Sequence, residues 1–150
     1  MSRTDDDNIK LLKAIGKTFK MMTMTIKDEM DRHALEMTRE QGMVLRKLEL
    51  ENGIIQNDLA WVTFRDKTSL ARLLSKMEHN GHIRREADPD DRRAKRVFLT
   101  KKGLQLRNKV NTILAGLAQR FEKDIDQQNI EQTVLTLRAI QKNLDNDFEI

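Results

Sequence analysis

Apolar residues recur at spacings of three and four through residues 6–31, where Ile9, Leu12, Ile15, Phe19, Met22, Ile26 and Met30 line one face of a long predicted helix. Asp5, Asp6 and Asp7 stand at its N-terminal end, where the helix dipole favours negative charge. A second helix is predicted over 38–52. Thr38 and Gln41 have the spacing of a capping box that would open it, and Gly53 can end it. A short helix over 56–64 carries Leu59, Ala60 and Val62. Asp66 is a good N-cap for the next helix, predicted over 66–80. Leu70, Leu73, Leu74 and Met77 form its apolar face, and Asn80-Gly81 closes it.

The pattern then shortens. Residues 82–86 and 95–99 read as two strands with Ile83, Val97 and Leu99 inward. The connection over 87–92 contains Asp88-Pro89-Asp90, a turn sequence. Thr100 caps a helix running to about residue 121 through Leu104, Val110, Ile113, Leu114 and Leu117. A last helix over 130–148 places Val134, Leu137, Ile140 and Leu144 on one face. The expected fold class is mainly α with a small β-hairpin, in a chain of 150 residues that suits one domain. There is no internal repeat, linker or low-complexity segment.

The two end helices, residues 6–33 and 121–148, each carry an apolar stripe beyond what the middle of the chain needs for its own core. Packing against each other and against the same helices of a second chain would bury both stripes. A symmetric homodimer built from the two termini is therefore expected.

Charge adds a direction. The formal net charge is only +4, but residues 65–102 hold 12 Lys/Arg against 6 Asp/Glu, while the remainder holds 16 against 18. A basic surface concentrated in one segment favours a polyanion such as nucleic acid. The absence of cysteine excludes disulfides and thiol chemistry. The polar, acidic start MSRTDDDN is unlike a signal peptide. No apolar run approaches the roughly 20 residues that span a bilayer. A cytoplasmic protein without a membrane partner is expected.

Two helices joined by a short turn, the second opening on polar residues, make a helix-turn-helix pattern over 56–64 and 66–80. Lys67, Thr68, Ser69 and Arg72 lie early in the second helix, where they can reach base edges in a major groove and nearby phosphates. Arg65 is placed for a phosphate. At the hairpin tip, Arg92 and Arg93 are candidates for a narrow minor groove. Asp91 beside them would hold an arginine's guanidinium by a charge-assisted hydrogen bond. Arg84, Arg85, Lys95 and Arg96 would add phosphate contacts.

The run DPDDRRAKRVFLTKKG resembles the wing signature of the MarR family of winged helix-turn-helix transcription regulators, with Asp91, Arg92, Arg93, Leu99, Thr100 and Gly103 in the signature positions. Upstream, LAWVTFRDKTSLARLLSKMEHNGHI resembles that family's helix-turn-helix. The resemblance covers about residues 38–106, and the order of helices matches over the whole chain. It implies a winged lobe over 38–102 and a homodimer held by its terminal helices. One recognition helix per subunit would enter successive major grooves, with Lys67, Thr68, Ser69 and Arg72 reading bases or phosphates. Arg93, braced by Asp91, would enter the minor groove. The resemblance also implies a repressor that a small, often phenolic, ligand releases from DNA. Three positions depart from the family's commonest pattern. Ile55 stands where a Ser or Thr cap is usual, Thr63-Phe64 occupies a turn often written Leu-Gly, and the missing cysteine excludes the oxidant-sensing branch.

Other candidates carry less. His79 and His82 have an HxxH spacing but lack further ligands, so no metal is expected. Trp61 reads as packing. Met21, Met22, Met24 and Met30 read as interface or core filler, with a ligand-pocket wall as the alternative. No nucleophile motif, carboxylate pair or phosphate loop points to an enzyme, and no cofactor is implied. Double-stranded DNA, a second copy and a small effector are the expected partners. A winged-helix interaction module without operator binding is the alternative class.

Overall fold

The computed structural model describes residues 9–60 and 66–145. The chain divides into two compact units, Met1–Met37 and Thr38–Ile150.

The first unit contains α1, Lys10–Arg32. The helix expected over residues 6–31 is there, while Asp5, Asp6 and Asp7 lie outside the described residues. The ion pairs Lys27–Asp31 and Arg32–Glu29 lie on its surface at 2.9 and 3.0 Å. It ends in a double backbone closure. Leu35 N–H donates to the Met30 carbonyl and Ala34 N–H to the Asp31 carbonyl, with Ala34 at φ 51 where glycine is usual.

The second unit runs α2 (Arg39–Leu50), β1 (Ile54–Ile55), a 3-10 turn (Gln56–Asp58), α3 (Lys67–His79), β2 (Ile83–Ala87), β3 (Lys95–Leu99), α4 (Lys101–Phe121) and α5 (Gln127–Asp145). The strands form an antiparallel sheet in the order β1-β3-β2. The pairing Ile83↔Leu99 through Ala87↔Lys95 is the expected hairpin. Ile54↔Val97 and Ile55↔Arg96 add a third strand that periodicity could not reveal, because two residues carry no period. The helix expected over 56–64 opens as the 3-10 turn, becomes α-helical at residues 59–60 and then passes out of the described residues.

The caps are as the sequence requires. Thr38 accepts from Gln41 N–H while the Gln41 side chain accepts from Thr38 N–H, completing the capping box. Thr100 accepts from Gly103 N–H at 3.0 Å. The same hydroxyl donates toward the Gly81 and His82 carbonyls, so one side chain ties the start of α4 to the end of α3 and the start of β2. Gly81 has φ +75 and turns the chain between them. At Gly103 a Cβ would lie 2.0 Å from the His82 carbonyl oxygen, so only glycine allows this helix-to-strand approach.

The core of the second unit joins Val44, Leu45 and Leu48 of α2 with Leu59, with Leu70, Leu74 and Met77 of α3, and with Ile83, Val97 and Val110. Leu73, expected in that core, is half-buried. An ion pair from Arg107 Nε to Glu49 at 3.0 Å joins α4 to α2. α5 has no buried residue among those described, and Val134, Leu135, Leu137 and Leu144 lie exposed along it. In the first unit, Ile9, Leu11, Leu12, Phe19, Met21, Met22 and Met24 are exposed. No helix among the described residues is long and apolar enough to cross a membrane.

Candidate nucleic-acid interface

α3 begins at a fully engaged N-cap. One oxygen of Asp66 accepts from the backbone N–H groups of Thr68 and Ser69, each at 2.9 Å, and the other accepts from the Ser69 hydroxyl at 2.8 Å. The Ser69 backbone N–H, then its hydroxyl, holds the Asp66 carboxyl below its usual pKa. Lys67, Thr68 and Arg72 are exposed, and Ser69 is half-buried. The Ser69 proton is committed to Asp66, so the oxygen turns lone pairs outward. Arg65, Trp61 and the Thr63-Phe64 turn lie outside the described residues. Ile55 precedes the 3-10 turn without a side-chain cap hydrogen bond, as an apolar residue must.

The wing differs from expectation in what braces it. Asp91 Oδ1 accepts from the Arg93 backbone N–H at 2.9 Å, so its carboxylate shapes the turn rather than orienting a guanidinium. Asp88 is the buried carboxylate, only 4% exposed. Its Oδ1 accepts from the Asp90 and Asp91 N–H groups, each at 2.9 Å, and its Oδ2 pairs with Arg96 Nε. The Asp91 and Asp90 N–H groups, then Arg96, hold its pKa below the usual carboxylate range. An Asp just before proline is a known turn former, so the Asp88-Pro89-Asp90 motif contained this signal.

Two of the expected phosphate contacts turn inward. Arg85 Nε and Nη2 donate to Glu78 at 3.0 and 2.6 Å, and Nη2 also reaches Ser75 Oγ at 3.2 Å. The Arg85 backbone N–H donates to the other Glu78 oxygen at 2.9 Å. Arg85 lowers the pKa of Glu78. Arg96 is held by Asp88 and by the Gly53 carbonyl at 3.0 Å. Both arginines therefore serve the fold. Arg84 pairs with Glu86 and lies 4.4 Å above the Phe98 ring. Glu78 did not stand out in the sequence, and the turn motif at Asp88 did not reveal its pairing with Arg96, because both arginine partners are set by strand register.

Other cations stay outward. Lys67 and Arg72 on α3, and Arg92, Arg93 and Lys95 on the wing, are exposed and make no ion pair among the described residues. A cleft of about 280 Å³ beside Arg93 and Lys95 is also lined by Gln56, Asn57, Arg85 and Ala71 of α3. His82 is half-buried, and burial pushes its pKa down. No group of three metal-ligating side chains occurs among the described residues.

Residues 37–95 match the model of the MarR family. Over these residues the chain is similar to a MarR-family domain. It is 27% identical over 123 residues to the HTH-type transcriptional regulator YybA of Bacillus subtilis (strain 168), covering 77% of each chain. It is 38% identical over 68 residues to the transcriptional regulator HosA of Escherichia coli O111:H-, covering 45% of this chain and half the length of that one. The crystal structure of the S. aureus MepR–DNA complex superposes with a TM-score of 0.73 at 26% identity, covering 85% of this chain and 96% of MepR. The fold is a MarR winged helix: mainly helical, with a small three-stranded antiparallel sheet. The MarR-family match spans α2 to the first residue of β3, and so takes in Lys67, Thr68, Ser69, Arg72, Asp91, Arg92 and Arg93.

Proposed function

We propose that this chain is a transcription regulator that binds double-stranded DNA sequence-specifically, as a homodimer on a pseudo-palindromic site. The observation that carries the reading is the distribution of unpaired cations. Inward-facing arginines are neutralised by Glu78 and Asp88, whereas Lys67, Arg72, Arg92, Arg93 and Lys95 keep their charge for an external anion. In this reading Lys67, Thr68, Ser69 and Arg72 meet a major groove, and Arg65 meets a phosphate. Arg93 enters the adjacent minor groove, with Arg92 beside it. A related fold, MepR of S. aureus, has been crystallised in complex with DNA, which supports DNA binding as such.

Dimerisation supplies the second half-site. Leu12, Phe19 and Met22 of α1, and Val134, Leu137 and Leu144 of α5, are exposed in a single chain. A second copy covers these helical stripes and sets half-site centres about one helical turn apart, roughly 10 bp. Repression, and release by a small aromatic or phenolic acid, complete the reading on the strength of the MarR family alone.

Selection of bound duplexes from a random pool tests the proposal. The expected result is an enriched inverted repeat bound by a dimer. A folded protein that enriches no sequence would favour a winged-helix interaction module without an operator.

A further inference from the structure

Arg96 sits one strand pair in from the wing turn, and its side chain contacts two separate parts of the second unit. Its Nε meets Asp88 in the wing turn, and its Nη1 donates to the Gly53 carbonyl at 3.0 Å. Gly53 N–H in turn donates to the Val97 carbonyl of β3 at 3.0 Å. Asp88, at the other end of the pair, gathers the backbone N–H groups of Asp90 and Asp91. The turn is closed by Asp88 N–H to Ala94 O at 3.0 Å and Ala94 N–H to Asp91 O at 2.9 Å. Arg92 and Arg93 are what this closed turn projects.

We propose that Asp88 and Arg96 are positioning residues for the wing: their ion pair ties the turn to the corner before β1 and so presents Arg93 to DNA. This rests on the DNA-binding reading above. A hairpin tip held by backbone contacts alone would lose conformational freedom on binding, and that loss would be charged against the Arg93 contact. A tip already fixed by a buried carboxylate loses less. Arg96 itself has Nε and Nη1 engaged within the protein, so its role in this proposal is to hold the turn rather than a phosphate.

The test is a double-mutant cycle on a selected duplex, read by fluorescence anisotropy, with thermal unfolding to establish that each variant is folded. Asp88→Asn keeps an oxygen for the turn N–H groups and removes the charge. Arg96→Gln breaks the pair from the other side and leaves Asp88 in place, should the Asn variant fold poorly. Arg93→Ala is expected to weaken the parent about tenfold. In either clasp variant the same change should cost less than about threefold, because a loose tip has already lost the contact. In an Arg93→Ala background, Arg96→Gln should leave the salt slope of binding unchanged, whereas loss of a true phosphate contact lowers it by about one.

Folded clasp variants with parental affinity, or an undiminished Arg93 effect in their background, overturn the proposal, as does a salt slope that Arg96→Gln lowers further in the Arg93→Ala background. A parent that binds no duplex at all overturns the DNA-binding reading, and the clasp's role with it. A parent that binds and depends on Arg93, but not on Asp88 or Arg96, overturns the clasp alone.

Discussion

Arg85 on β2 donates from Nε and Nη2 to Glu78, in the last turn of α3, at 3.0 and 2.6 Å. The bond joins the helix proposed for the major groove to the strand that carries the wing. The Arg85 side chain is only 14% exposed, so removing its partner strands a largely buried cation. Glu78→Ala should lower stability by about 1–3 kcal/mol in urea unfolding. An unchanged unfolding midpoint would show that the pair contributes nothing.

Leu70 and Leu74 are fully buried on the inner face of α3. Either Leu→Ala change should cost about 2–5 kcal/mol, the range for cavities left in a packed core. The exposed Arg72 lies between them on the opposite face, and Arg72→Ala should leave the thermal midpoint nearly unchanged while lowering DNA affinity. Loss of stability without loss of binding in Arg72→Ala would reverse its assignment.

Ser69 makes a prediction about base type. Its hydroxyl proton goes to Asp66, so toward the groove it accepts and does not donate. It should favour an exocyclic amino group, cytosine N4 or adenine N6, at its position. Asp66→Asn keeps a capping oxygen and turns an amide N–H toward Ser69, freeing the hydroxyl to donate. The selected sites should then shift at one base pair per half-site toward the acceptor-rich edge of guanine. An identical site logo for parent and Asp66→Asn would contradict this geometry.

Two sets of groups set the pH response. Burial depresses the pKa of His82 below 6.5, with Lys102 adding to the effect, so the unfolded chain takes up this proton more readily than the fold does. Stability should therefore fall as pH drops through about 6.5, and His82→Gln should flatten that limb of the profile. Asp66, Glu78 and Asp88 have lowered pKa values. Their contribution is present above the ordinary carboxylate range and is lost as pH falls below about 4. A unimodal acid transition near pH 4 that His82→Gln leaves untouched would remove His82 from this account.

Local signals were legible in the sequence. The Thr38–Gln41 box, the Asp66 and Thr100 caps and the Gly81 turn each depend on a few neighbouring residues, and each forms as read. The β1 strand was not legible, because Ile54 and Ile55 are strand only by pairing with Val97 and Arg96. For the same reason the basic residues could be counted but not sorted. The sequence could not say that Arg85 and Arg96 turn inward while Arg92 and Arg93 stay exposed, since that depends on where Glu78 and Asp88 lie in the folded unit. Asp91 was correctly placed in the turn, but its carboxylate meets backbone and not a guanidinium.

The central claim is that the outward cations of α3 and the wing bind a DNA duplex. The most direct measurement is the dissociation constant on a selected duplex across a salt series, for the parent and for Arg72→Ala combined with Arg93→Ala. The account predicts a linear fall of log affinity with log salt in the parent, and a weaker affinity with a shallower slope in the double variant. A parent whose binding ignored ionic strength, or a folded double variant that bound like it, would contradict the account.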